Sequence, residues 1–251
     1  MALVWGSQVM KRYRHYQDDK INISGSSQFS DINKLTTLIS DKNVIVCDLR
    51  SEPHIFITGK TEEDQIISGS VYWYIDENKL TAELSLIEFN EWLKKSITEL
   101  PKIVEIYTDK SLTSHIRVKL IKIETEEKLV KLVGWGYFQI RIVDHHPPKL
   151  EQINDLIRLI KFIPKDTRIH FHCAGGKGRT STIMMLYDIL HNAEHNQLND
   201  IIDRHLKLGG ADICIPSVNI NRIHLSEQKC KLLSDIYIHR IDNHLTYLTS
   251  I

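Results

Sequence analysis

Residues 168–182 read RIHFHCAGGKGRTST. The β-forming run Arg168–His172 delivers Cys173 into a glycine-rich turn of Ala174, Gly175, Gly176, Lys177 and Gly178, and Arg179 follows six positions after the cysteine. Thr180, Ser181 and Thr182 then open an apolar run with helical spacing. The glycines admit backbone dihedrals closed to other residues, so successive N–H groups can turn inward and, with the positive end of the following helix, form an anion site. The same field favours the thiolate of Cys173, the reactive form of the side chain. The planar fork of Arg179 suits two phosphoryl oxygens. A cysteine and an arginine at this spacing recur by chance. The three glycines, His172 before the cysteine, Thr180 after the arginine and the strand–helix context make the pattern specific to a thiol-based phosphate-ester loop.

The 251 residues accommodate one large domain or one domain with a substantial insertion. At 42% hydrophobic and 25% charged, the chain is that of a folded protein rather than a disordered one. Its net charge of zero leaves no global field for nucleic acid or membrane, so attraction for an anionic substrate has to come from local clustering. No run reaches the roughly 18 apolar residues of a membrane span. The start, MALVWGSQVMKRYRHYQDDK, places its basic residues after a short apolar piece, the reverse of a signal peptide. The expected location is cytoplasmic, or exported without a recognisable signal, in a bacterium. Cys47, Cys173, Cys214 and Cys230 show neither metal-ligand spacing nor the density of a disulfide framework; free thiols fit a reducing compartment, and a single bridge is the alternative. His170 and His172 fall on one strand face and Cys173 on the other, so no metal site is expected there.

Outward from the loop, residues 1–22 read as a surface lead-in. Ser24–Ser27 around Gly25 reads as a turn, with Ser30 capping a helix that buries Ile32, Leu35, Leu38 and Ile39. NVIVCDL is a buried-strand pattern ending on the polar cluster Asp48, Arg50, Glu52 and His54, a second wall for a site beyond the strand ends. Its bland rival is an exposed loop with local ion pairs. Residues 61–134 form an inserted subdomain, where KIVEIYT, HIRVKLIKI and KLVKLVG read as short antiparallel strands. The lysines at 119, 122, 128 and 131 read as a solvated face. Residues 23–60 and 135–251 make the main α/β domain. In it, RIVDHHPP ends a strand on Asp144, and the two prolines force a loop. An amphipathic helix with Leu150, Ile153, Leu156 and Ile157 on its apolar face follows. Helices are also expected over 199–208 and 225–246.

Thiolate attack on a phosphate ester also needs an acid for the leaving oxygen and a means of resolving the phosphocysteine. Asp144 is the candidate acid, and Thr180 the candidate donor to the cysteine sulfur. Their rivals are a turn-capping aspartate and a plain helix cap.

The set SGSSQFS, VCDLRSEPH, RIVDHHPP and HFHCAGGKGRTST resembles, in order over roughly residues 22–215, the protein-tyrosine-phosphatase-like phytases. The resemblance implies a tyrosine-phosphatase fold, a mixed central sheet flanked by helices, with the insertion as a small partial barrel beside the pocket. It implies cofactor-free, metal-independent, stepwise hydrolysis of phosphate from myo-inositol hexakisphosphate, a small-molecule substrate. Cys173 then corresponds to the nucleophile, Arg179 to the phosphate-binding arginine and Asp144 to the acid. His145, Asp48, Arg50, Glu52, His54 and the loop residues His172, Ala174, Gly175, Gly176, Lys177 and Gly178 correspond to substrate-binding positions. Two positions depart from the family. Ala174 stands where an acidic or polar residue is common, and Lys177 where lysine is a feature of phosphoinositide phosphatases. The alternatives are therefore a phosphoinositide or phosphotyrosine phosphatase and, in another class, a catalytically dead phosphate-binding module.

Overall fold

In the computed structural model, residues 2–6, 9–74, 82–109 and 111–242 are described. In chain order the elements are β1 (Ala2–Trp5), β2 (Arg14–Gln17), β3 (Asn22–Ser27), α1 (Ile32–Leu38), β4 (Val44–Arg50), β5 (His54–Thr61) and β6 (Ile66–Tyr74). Then come α2 (Ala82–Thr98), β7 (Lys102–Tyr107), β8 (His115–Glu124), α3 (Glu126–Leu132), β9 (Gly136–Ile142) and α4 (Leu150–Phe162). β10 (Arg168–Cys173), α5 (Gly178–Asn192), α6 (Leu198–Lys207) and α7 (Ile223–Ile241) complete the chain. The chain divides into two units, one of residues 11–28, 41–50 and 135–251, the other of residues 1–10, 29–40 and 51–134.

The first unit is built on a five-stranded sheet in the order β2-β3-β10-β4-β9. β10 runs parallel to β3 and to β4, β9 runs parallel to β4, and β2 closes the other edge antiparallel to β3. Every residue of β10 is buried, which for a central strand normally demands an apolar run. Its polar members are tolerated because they have partners. His170 sits between the hydroxyls of Ser24 and Ser26, 3.0 Å from each. α5 follows directly and is buried along most of its length, packing on β3, α6 and α7 around Ile23, Leu49, Phe171, Ile183 and Met184. Ile153, Leu156 and Ile157 of α4 are buried as expected, whereas Leu150, its first residue, is exposed.

The second unit is a closed barrel, β1-β6-β5-β8-β7, around Leu3, Ile55, Val71, Trp73, Ile106, Val118 and Leu120. Phe89 of α2 packs edge-on against Trp73. Closure leaves no unpaired strand edge, which a small sheet otherwise exposes to aggregation. All of its pairings are antiparallel but one: β1 runs parallel to β7.

Several expectations are corrected. Residues 1–22 are not a surface lead-in, because β1 closes the barrel and β2 edges the sheet. The barrel unit begins at Ser51 rather than 61 and takes in residues 1–10 and 29–40. Ser24–Ser27 is strand, not turn, held between β2 and β10. Asp31, not Ser30, caps α1, its side chain accepting from Asn33 N–H. KLVKL is helix rather than strand, because Thr125 caps it and Glu126 and Glu127 sit at its positive end. Cys214 and Cys230 are joined in a disulfide that fastens the segment after α6 to α7, leaving Cys47 and Cys173 as free thiols. Residues 243–246 of the last expected helix lie outside the described residues. No helix among the described residues is long and apolar enough to cross a membrane.

Candidate active site

The carboxyl end of β10 places Cys173 at the centre of the sheet, between Ser27 at the end of β3 and the Asp48 end of β4. The chain then turns through Gly176, whose φ of +67° is unstrained only for glycine. A side chain there would also overlap the Ser26–Ser27 backbone. This close approach is the structural reason for one of the three glycines. α5 begins at Gly178, so its unpaired N–H groups and Arg179 stand at the loop that Cys173 opens.

Cys173 is 3% exposed. The Thr180 hydroxyl lies 3.2 Å from its sulfur and 3.4 Å from the Ser26 carbonyl, so one rotatable proton can serve either acceptor. Arg179 is buried and donates to the Ile142 carbonyl at 3.2 Å, which aims its fork. Its Nη2 lies 2.9 Å from Oδ1 of Asp144. The carboxylate also accepts from the His145 N–H at 3.1 Å. His145 adopts φ +66° in the sharp turn that precedes Pro147 and Pro148.

The rim beside Asp144 is cationic. Arg222 donates to His145 Nε2 at 2.8 Å, and Lys229 of α7 is buried near Gly178. Burial lowers the pKa of Lys229, opposed by Asp144 and reinforced by Arg222. Burial also lowers that of His145, against the pull of Asp144, so the neutral ring accepting from Arg222 is the better description than an ion pair with Asp144 at 3.4 Å. Lys177 and Gly175 are exposed in the loop, Ala174 and Gly178 partly so.

The 48–54 stretch behaves differently from expectation. Asp48, Arg50 and His172 are 0%, 1% and 0% exposed. Arg50 Nε donates to Asp48 at 2.9 Å and its Nη1 to Gln28 Oε1 at 3.1 Å. Gln139 donates to both Asp48 and the Arg50 carbonyl. Tyr137 also donates to Asp48, and His172 Nε2 lies 3.8 Å from it. These side chains form a sealed polar network behind the cysteine and support the loop rather than wall a pocket. Glu52 and His54 fall in the barrel unit. There His54 Nδ1 faces the Glu52 carbonyl at 2.9 Å, and Nε2 lies 3.4 Å from Glu126.

The sequence reading missed Arg12 and Arg14, which reach the carbonyls of Gly175 and Gly176, together with Gln28, Arg222 and Lys229. Nothing in the local sequence marks them, since each is brought in by non-local pairing.

Residues 75–191 match the family model of the PTP-like phytases, described by the words inositol hexakisphosphate. The structure superposes on a PTP-like phytase from Bdellovibrio bacteriovorus with a TM-score of 0.75, at 24% identity, over 96% of this chain and 89% of that one. The fold is that of a PTP-like phytase. A tandemly repeated PTP-like phytase from Mitsuokella multacida gives a TM-score of 0.76 at 23% identity, over 98% of this chain and 47% of the other. Among curated proteins, the effector protein hopD2 of Pseudomonas syringae pv. tomato is 24% identical over 200 residues, 75% of this chain and 41% of its own length. The uncharacterized protein AvrBs1.1 of Xanthomonas campestris pv. campestris is 45% identical over 42 residues, 17% of this chain and 40% of its own. The chain thus spans about two fifths of the length of these curated relatives. The α/β phytase-type fold, with its mixed sheet and barrel, is the architecture expected from the loop and its neighbours.

Proposed function

We propose that this chain is a metal-independent cysteine phosphatase that hydrolyses phosphomonoesters of myo-inositol polyphosphates. The observation that carries the reading is the convergence of Cys173, Arg179, Asp144 and Thr180 at one loop. Cys173 Sγ attacks phosphorus in line with the ester oxygen, and the Arg179 fork with the loop N–H groups holds the equatorial oxygens. Arg179 is then drawn from Asp144 to the phosphoryl group, and the released carboxylate takes up a proton from the incoming phosphate monoanion or from solvent. The carboxyl so formed protonates the leaving alkoxide as the P–O bond breaks. The resulting carboxylate takes a proton from water as the water attacks the phosphocysteine. The Thr180 hydroxyl stabilises the departing thiolate.

The polyphosphate preference rests on the cations around the loop, namely Arg12, Lys177, Arg222 and Lys229. It is supported by the family match and by the likeness to a myo-inositol phosphatase structure from Mitsuokella multacida described with myo-inositol-(1,3,4,5)-tetrakisphosphate. The likeness to a bacterial effector protein supports a bacterial source and leaves the substrate to be decided by assay.

The test is phosphate release by the purified chain from inositol hexakisphosphate, a phosphotyrosine peptide and phosphoinositide vesicles, with Cys173→Ser as control. Release is expected fastest from the inositol hexakisphosphate and at least about a thousandfold lower in Cys173→Ser. Faster release from the peptide or the vesicles overturns the substrate assignment. Binding without release by the wild type, or unchanged release by Cys173→Ser, overturns the enzyme itself.

A further inference from the structure

Three successive carbonyls of the loop are held from outside it. Ala174 O accepts from Gln28 N–H at 3.4 Å, Gly175 O from Arg12 Nη1 at 3.1 Å, and Gly176 O from Arg14 Nη1 at 3.0 Å. In a planar trans peptide the C=O and N–H point in opposite directions. Fixing these oxygens therefore turns the N–H groups of Gly175, Gly176 and Lys177 the other way, towards the hollow where phosphoryl oxygens sit.

Arg14 does more than the other two donors. Its Nη2 donates to Ser181 Oγ at 3.1 Å, and that oxygen also accepts from Ala211 N–H at 2.9 Å. One guanidinium thus spans the loop and the first turn of α5. The segment carrying it is fixed in turn, with Lys11 N–H bonded to Ser27 Oγ at 2.7 Å and Ser27 N–H to the Lys11 carbonyl at 2.9 Å.

Arg14 is 3% exposed, and among the described residues no carboxylate pairs with it. A buried guanidinium without a counter-charge is costly. Burial lowers its pKa to about 10, and the opposing influence is the charge of Cys173.

We propose that Arg14 is a positioning residue of the phosphate loop: its fork fixes the Gly176 peptide and the start of α5, and so holds the loop N–H groups towards a bound phosphoryl dianion. The proposal rests on the phosphatase reading.

It is tested in the full chain with Arg14→Met and Arg14→Lys. The readouts are orthovanadate affinity, protection of Cys173 from iodoacetamide alkylation by added phosphate, and thermal unfolding to confirm the fold. Arg14→Met is expected to weaken vanadate at least about tenfold, the loss of one hydrogen bond to a charged group. Protection of Cys173 is also expected to need at least about tenfold more phosphate, a loss of anion binding that a purely structural role would not produce in a folded variant. Arg14→Lys keeps the charge but not the fork, and so loses vanadate affinity as Arg14→Met does. Wild-type vanadate affinity in either folded variant overturns the proposal, and Arg14→Lys alone decides if Arg14→Met does not fold. A wild-type chain that binds no vanadate overturns the phosphatase reading itself, and the proposal with it.

Discussion

Asp144 and Arg179 are paired at 2.9 Å, so the candidate acid and the candidate phosphate-binding guanidinium are each other's partners until a substrate separates them. The pair is asymmetric. Arg179 is buried and aimed by the Ile142 carbonyl, whereas the Asp144 side chain is 40% exposed on a turn. The guanidinium is thus held in one orientation from the buried side, while the carboxyl meets it from an exposed turn.

Replacing Asp144 with Asn keeps a hydrogen-bond acceptor for Arg179 but removes the exchangeable acid proton. For an inositol phosphate, whose alkoxide leaves poorly, kcat is expected to fall by about 10²–10⁴. For p-nitrophenyl phosphate, whose phenolate leaves without a proton, the loss should be much smaller. Equal losses on the two substrates would remove Asp144 from the role of acid.

Thr180→Val preserves shape while deleting the only side-chain hydroxyl recorded at the Cys173 sulfur among the described residues. A hydrogen bond to a charged group contributes about 1.5–3 kcal/mol, so breakdown of the phosphocysteine should slow roughly ten- to a hundredfold. Rapid quench would then show a burst of leaving group followed by slow turnover, with phosphoenzyme accumulating. Uniform slowing without a burst would assign Thr180 to helix capping alone.

The His145–Arg222 contact carries a pH signature. The pKa of the folded ring is lowered from the ordinary histidine value of 6.5, chiefly by burial, and the ring accepts from Arg222 while neutral. Below that unfolded value the unfolded chain binds the extra proton more readily than the folded one. Stability contributed by the neutral ring is therefore present above 6.5 and lost as pH falls through the lowered folded value. His145→Gln should flatten the acid limb of the Tm–pH curve by up to about one proton in its slope. An unchanged limb would show that the ring titrates alike folded and unfolded.

The loop was legible because its chemistry depends on residue types at fixed spacing, from Cys173 through three glycines to Arg179. The roles of Asp48, Arg50 and His172 were not, because alternation along a strand does not reveal that a polar side chain has been sealed behind the site. β3 was misread because Gly25 and its serines carry turn character. There the strand forms because β2 and β10 pair with it on both sides, and the bare Gly25 backbone lets Met184 and Thr180 pass close. Conversely KLVKLVG is a short run rich in apolar residues that reads as a strand, and the cap at Thr125 with the acidic first turn makes it α3. Arg14 sits in a basic segment that looks like any solvated one. Its burial is decided by Gly176 and Ser181, far along the chain.

The strand order β2-β3-β10-β4-β9 has a consequence for how the molecule is born. β10, residues 168–173, fills the slot between strands ending at residues 27 and 50, so the middle of this sheet is made after its other four strands. Until then β3 and β4 lack their shared neighbour, a nascent chain with two strand edges open to wrong partners. Filling that slot completes the sheet and delivers Cys173 to its loop in the same event. Completion of the sheet and assembly of the candidate site are therefore one step.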